Sequence, residues 1–235
     1  MLLPMSAERI LVVNPNSSAS CTAGIAAAMA RFAAPGLPRI EVTSLPEGPP
    51  AIATWRDWYS VAEPLCRFVT REPADCYVIG CVSDPGLEAV RMVTDRPVLG
   101  LMRSAVGAAL ARGERFGIVA FLETSRPRQR RVLQAMGVEQ RCVGSVPLNL
   151  DMETLTDPVA PRERLQAAAR ELVAMGAEVV VLGCAGMAGH LAAAEDAAGV
   201  PVIEPCQAAA AQALLAVLSA RRGVASPASL AEAAE

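Results

Sequence analysis

The chain of 235 residues carries a net charge of -3 and is 53% hydrophobic but only 3% aromatic, so its core must be built mainly from Ala, Val, Leu and Ile. All 21 basic residues are arginine, which excludes a lysine Schiff base and the lysine of a phosphate-binding P-loop, and the single histidine, His190, argues against a histidine-rich zinc site. Nothing basic enough to attract nucleic acid is present, no apolar run approaches the ~18–20 residues of a membrane span, and the opening MLLPMSAERI does not resemble a signal peptide, so a cytoplasmic protein is expected.

Seven cysteines at irregular spacing in a chain of this length do not form a disulfide framework and are expected as free thiols. In chain order, a strand over 10–13 leads to a helix over 22–32, and a strand over 40–44 to a helix over 55–69. Strand 76–80 precedes helix 87–93, strand 98–101 helix 105–111, and strand 116–120 helix 125–136. The pattern continues with strand 143–147, helix 162–175, strand 179–183, helix 190–197, strand 202–203 and helix 207–221. Continuously apolar strands alternating with helices predict parallel sheets covered on both faces. The basic run RPRQRR at 126–131 reads as the wet face of its helix.

The chain also repeats itself. ADCYVIGCVSDPGLEAV followed by RPVLGL finds an echo in AEVVVLGCAGMAGHLAA followed by VPVIEP, with Cys184 standing where Cys81 stood and Pro201 where Pro97 stood. This predicts two pseudo-symmetric α/β lobes, each a mostly parallel four-stranded sheet flanked by helices, with the active site in the cleft between them. The first lobe is expected to comprise residues 1–101 plus 205–235, the last helix returning to it, and the second residues 102–204.

Cys81 and Cys184 each follow a strand, at the carboxyl edge where open parallel sheets bind ligands. If the lobes face each other, the two sulfurs enter one cleft from opposite sides, and the helices that follow are expected to favour thiolate over thiol. One base and one acid on opposite faces of a carbon are what inversion of a stereocentre needs, with no cofactor. The remaining cysteines are assigned to packing or surface, Cys206 being nearest the cleft.

Three ordered motifs, VVNPNSSAS, GCVSDPGL and VLGCAGMA, make the chain similar to the aspartate/glutamate/hydantoin racemase superfamily, most closely its hydantoin and allantoin racemase branch. The resemblance implies two α/β lobes, cofactor-independent two-base catalysis by Cys81 and Cys184, and homo-oligomers. The triplets Cys81-Val82-Ser83 and Cys184-Ala185-Gly186 depart from the Cys-Asn-Thr and Cys-Thr-His of glutamate racemases. Arylmalonate decarboxylases keep only the later cysteine, and Ala120-Phe121-Leu122 replaces the Thr-rich strand end usual in the hydantoin branch.

Supporting residues follow from position. Asn14, Ser17 and Ser18 are candidates to hold a substrate carbonyl or imide, the serines equally to cap the next helix. Val82, Ser83, Ala185, Gly186 and Met187 flank the thiols, and backbone N–H groups of Ser83, Asp84, Gly186 and Met187 are candidate oxyanion donors. Asp84 fits a helix cap better than proton transfer. Trp55 and Tyr59, in TWRDWY, are candidate pocket walls, and His190 is expected as a polar surface or capping residue. The expected function is racemisation of 5-substituted hydantoins or allantoin. Amino-acid racemisation, decarboxylation of a disubstituted malonate, and ligand binding without chemistry are the alternatives.

Overall fold

The central strands are unbroken aliphatic runs, a pattern that fits a strand covered on both faces. The computed structural model describes residues 8–220, so Arg221 and the terminal segments assigned to the first lobe lie outside the described residues. One sheet contains β1 (Arg9–Asn14), β2 (Arg39–Ser44), β3 (Cys76–Ile79) and β4 (Val98–Gly100) in the order β2-β1-β3-β4. The other contains β5 (Phe116–Ala120), β6 (Cys142–Pro147), β7 (Val179–Gly183) and β8 (Val202–Ile203) in the order β6-β5-β7-β8. Every pairing is parallel. In each sheet the chain winds to one edge and then crosses to the other side of its first strand, which opens a crevice at the carboxyl ends of β1 and β3, and of β5 and β7.

Helices α1 (Ala19–Met29), α2 (Trp55–Ser60), α3 (Ala62–Arg71), α4 (Leu87–Val90) and α5 (Leu101–Leu110) precede β5. They are followed by α6 (Arg126–Met136), α7 (Met152–Thr156), α8 (Arg162–Ala174), α9 (Leu191–Ala198) and α10 (Pro205–Ala220). Strand side chains alternate between faces. Ile10, Val12, Cys76 and Val78 point from the first sheet, and Ile118, Val179 and Val181 from the second, into one shared core. Ala105 and Ala109 of α5 and Ala209 and Ala213 of α10 fill that core. Small side chains let these two helices lie between the sheets, and α10 also packs on α1 and β3. The outward residues Leu11, Val13 and Ile79 pack with Leu65 and Val69 of α3, while Val119, Val180 and Leu182 pack with Leu165, Ala169 and Leu172 of α8. Each fully buried branched side chain contributes roughly 1.5–3 kcal/mol relative to exposure.

Three elements differ from their predicted form. The helix expected over 55–69 breaks at Val61, because Pro64 lacks an amide hydrogen and its ring would meet the carbonyl of Ser60. Helix α5 starts at Leu101 rather than 105, since its first turn is capped from a distance by Asp84, which a local reading cannot see. The short helix α7, started by Asp151 accepting from the Thr154 amide, was not predicted.

Candidate active site

The two crevices face each other. At each, a glycine ends the central strand against its neighbour: a Cβ on Gly80 would lie 3.1 Å from the Val13 carbonyl oxygen, and one on Gly183 2.5 Å from that of Val119. This close approach delivers Cys81 and Cys184 to the same place in their respective halves. Both thiols, half-buried, line one small cavity of about 50 Å³, walled also by Asn16, Cys21, Val82, Ser83, Phe121, Met152 and Ala185. That is room for a few water molecules. A wider cleft of about 750 Å³ adjoins it, sharing Cys21 and Ala185 as common lining.

Burial holds both thiols above their ordinary range. Burial pushes Cys81 up to about 12, opposed by the Ser83 hydroxyl, 3.5 Å from Sγ, and by the positive charge of Arg128, while Cys21 and Asp84 raise it further. Burial likewise raises Cys184, with negative charge on Cys21 and Cys81 adding to the rise and the Gly186 N–H opposing it. The expectation of lowered thiol pKa values is therefore corrected. The helix following Cys81 is α4, a single turn, and Cys184 is followed by the 3-10 turn Ala185–His190, so neither thiol has a long helix dipole aimed at it. Desolvation of the anion dominates.

Of the flanking residues, Val82, Ser83 and Ala185 line the cavity and Gly186 lines the adjoining cleft. The Ser83 and Asp84 amides both donate to the Cys81 carbonyl and the Met187 amide to that of Cys184, so these three are not free oxyanion donors, whereas Gly186 N–H faces the Cys184 sulfur. Met187 is fully buried in the second lobe's core, away from the cavity. Asn14 does not reach it either: its amide donates to Asn16 and Thr22, bracing the loop so that Asn16, two residues on, presents the side chain. Ser17 is exposed and outside the cavity lining, and Ser18 caps α1 by accepting from the Cys21 amide.

Trp55 and Tyr59 stack on each other at the surface, 38% and 58% exposed, rather than walling the pocket. The buried aromatic of that motif is Trp58, whose indole N–H donates to the Ser83 carbonyl at 3.0 Å and so supports the Cys81 loop from behind. Asp84 is a cap, as expected, though of α5: its carboxylate accepts the Met102 and Arg103 amides at 2.8 and 3.0 Å. Burial outweighs these bonds and raises it to about 7. His190 is not at the surface; it is buried with Nε2 at 3.1 Å from the Leu155 carbonyl. Cys206 is fully buried at the start of α10, its amide held by Glu204. Cys21, expected as packing, is a third thiol lining the cavity.

Two residues of the basic run were missed. Arg126, Arg130 and Arg131 face solvent, but Arg128 and Gln129 are each 2% exposed and line the cavity. Helical spacing carried the signal: Ser125, Arg128, Gln129, Val132 and Leu133 fall at i, i+3, i+4, i+7 and i+8, one inward face. Arg128 donates to the carbonyls of Ala53 and Ile52, and Gln129 donates to those of Val82 and Gly183, one beside each thiol.

Two facing parallel sheets with a thiol from each at a common cavity define a two-lobed α/β scaffold in which paired acid/base groups can act on one carbon. Residues 10–213 match the family model described as Asp/Glu/Hydantoin racemase. The chain is 37% identical to a hydantoin racemase of Paenarthrobacter aurescens over 86% of its own length and 87% of that protein's. It is 35% identical to a hydantoin racemase of Pseudomonas sp. (strain NS671), covering 83% of this chain and 80% of that one. Among solved structures, allantoin racemase from Klebsiella pneumoniae superposes with a TM-score of 0.82 at 30% identity, over 91% of this chain and 87% of that one. The chain belongs to the Asp/Glu/hydantoin racemase family.

Proposed function

We propose that the protein racemises 5-substituted hydantoins or allantoin without a cofactor, with Cys81 and Cys184 as the two acid/base groups. The observation that carries this reading is that both thiols, one from each half, line one cavity. One cysteine, as thiolate, removes the proton from the ring carbon and becomes a thiol. The electron pair left behind moves into the adjacent carbonyl, giving an enolate. The opposing thiol then delivers its proton to the other face and becomes the thiolate, so the substrate is inverted and the two cysteines have exchanged protonation states. Proton exchange with solvent, or turnover of the opposite enantiomer, resets the pair.

Arg128 and the Ser83 hydroxyl favour the anion at Cys81, and the Gly186 N–H favours it at Cys184. A ring with its substituent must widen the cavity as it enters. Val82, Ser83, Ala185 and Gly186 are the flanking residues retained from the sequence reading, with Asn16 in place of Asn14. The same reading makes residues 1–101 with 205–235 and residues 102–204 the two halves, the protein cytoplasmic, and the working form a homo-oligomer, which sedimentation of the purified protein tests.

The test is a panel of enantiopure 5-substituted hydantoins, allantoin included, followed by loss of optical rotation. Enzyme-dependent decay on at least one ring is expected. Failure on all of them, with turnover of a free amino acid or an arylmalonate instead, overturns the substrate class.

A further inference from the structure

Helix α6 turns two polar side chains into the cavity and leaves one atom of each without a partner. The Gln129 amide nitrogen is shared between the Val82 carbonyl at 3.2 Å and the Gly183 carbonyl at 2.8 Å, which fixes the orientation of the carboxamide and leaves Oε1 buried and unbonded. The two terminal nitrogens of Arg128 hold the Ala53 and Ile52 carbonyls at 2.9 and 3.2 Å, which leaves its Nε–H buried and unbonded. Buried polar atoms without partners are rare in folded proteins and ask for an explanation. Here one is an acceptor and the other a donor, on adjacent residues that both line the cavity holding Cys81 and Cys184.

We infer that Arg128 and Gln129 together read the amide edge of a cyclic substrate, Nε–H donating to a ring carbonyl and Oε1 accepting from the neighbouring ring N–H. This rests on the racemase reading above and names what the site selects. A cis amide inside a five-membered ring presents C=O and N–H side by side on one edge, so a donor and an acceptor lining the same cavity can each meet one of them. An open-chain secondary amide is trans and points the two groups in opposite directions. A malonate has no N–H, and a free amino acid would bring an ammonium and a carboxylate instead. Gln129 also ties together the loops that carry the two thiols, so binding of the edge and placement of the ring carbon between the sulfurs are coupled through one side chain.

The experiment compares, on the full-length enzyme, kcat/KM for a 5-substituted hydantoin with that for two altered rings: the N3-methyl derivative and the oxazolidine-2,4-dione, in which oxygen replaces N1–H with little change of shape. The wild-type protein is expected to prefer the parent hydantoin by roughly 100-fold or more over at least one of them, because a site built to bond an N–H rejects the analogue that lacks it. Gln129→Met, close in size but without the amide, is expected to bring that ratio below about tenfold. Because each ratio is taken within one variant, a general loss of activity from a disturbed loop cancels. Circular dichroism checks folding, and if Gln129→Met does not fold, the wild-type ratios decide alone. Inversion of hydantoins with no preference among the three rings, or a Gln129→Met enzyme that keeps the wild-type ratio, overturns this inference and leaves the racemase reading standing. A wild-type protein that inverts none of the rings overturns both.

Discussion

Replacing Ser83 with alanine removes a side-chain hydroxyl that lies 3.5 Å from the Cys81 sulfur. The Ser83 carbonyl still accepts from Trp58 and its amide still donates to the Cys81 carbonyl, so the loop keeps its backbone anchors. What is lost is a hydrogen bond to an anion, worth about 1.5–3 kcal/mol. With Cys81 already pushed up to about 12 by burial, that loss makes its thiolate scarcer by roughly 10- to 150-fold at any pH below the pKa. The two enantiomers have equal free energy, so kcat/KM must be the same in both directions, and a lesion at one thiol slows both equally. Ser83→Ala is therefore expected to lower kcat/KM by about 10- to 100-fold from either enantiomer. Polarimetry from each pure enantiomer measures this, with circular dichroism as the folding control. A loss below about threefold in both directions would show that the hydroxyl does not support the anion and refute the reasoning.

Other consequences concern the scaffold and the pH response. Because a thiolate must form from groups that the buried cleft holds above their ordinary range, kcat/KM of the wild-type protein is expected to rise with pH between about 6 and 9; a profile flat across that range would contradict it. Gly100→Ala would place a Cβ 2.2 Å from the Asp84 carboxyl carbon, displacing the cap of α5. At pH 8, where the Asp84 carboxyl is ionised, two charge-assisted bonds at roughly 1.5–3 kcal/mol each predict a destabilisation of about 3–6 kcal/mol in urea denaturation, and a change under about 1 kcal/mol would rule the cap out as a stabilising contact. Asp84 itself sits at about 7 when folded and near the ordinary carboxylate value when unfolded, so the folded state holds a proton that the unfolded chain releases. Its contribution is full below about pH 4 and is lost as pH rises through about 7, at most about 4 kcal/mol, so urea midpoints at pH 5 and 8 should differ less in Asp84→Asn than in the wild type. Tyr59→Ala, at an exposed position away from the cavity, is expected to leave kcat/KM within about twofold.

The lines of the fold were legible because the signals were local and periodic. Unbroken runs such as Val179–Gly183 marked central strands, and the repeated Gly-Cys after two of them pointed to a shared cleft, which the cavity around Cys81 and Cys184 bears out. What stayed hidden depended on partners distant in sequence. Asp84 caps a helix that begins 17 residues later, Trp58 rather than its neighbours turns inward to meet the Ser83 carbonyl, and Asn14 spends its amide on Asn16 and Thr22. Arg128 and Gln129 stayed hidden for a different reason: RPRQRR reads as the wet face of its helix, while the helix sorts the run by angle, sending Arg126, Arg130 and Arg131 outward and Arg128 and Gln129 into the cleft. The upward shift of both thiols stayed hidden as well, because the desolvation that causes it arises only when the two halves come together around the sulfurs.

The two-thiol claim is tested most directly by Cys81→Ser and Cys184→Ser, each incubated with either pure enantiomer in deuterated water while inversion and deuterium uptake at the ring carbon are followed separately. The account predicts that neither variant inverts substrate, and that each still exchanges the proton of one enantiomer, the opposite one in the two variants. Inversion at the wild-type rate by either variant would contradict it.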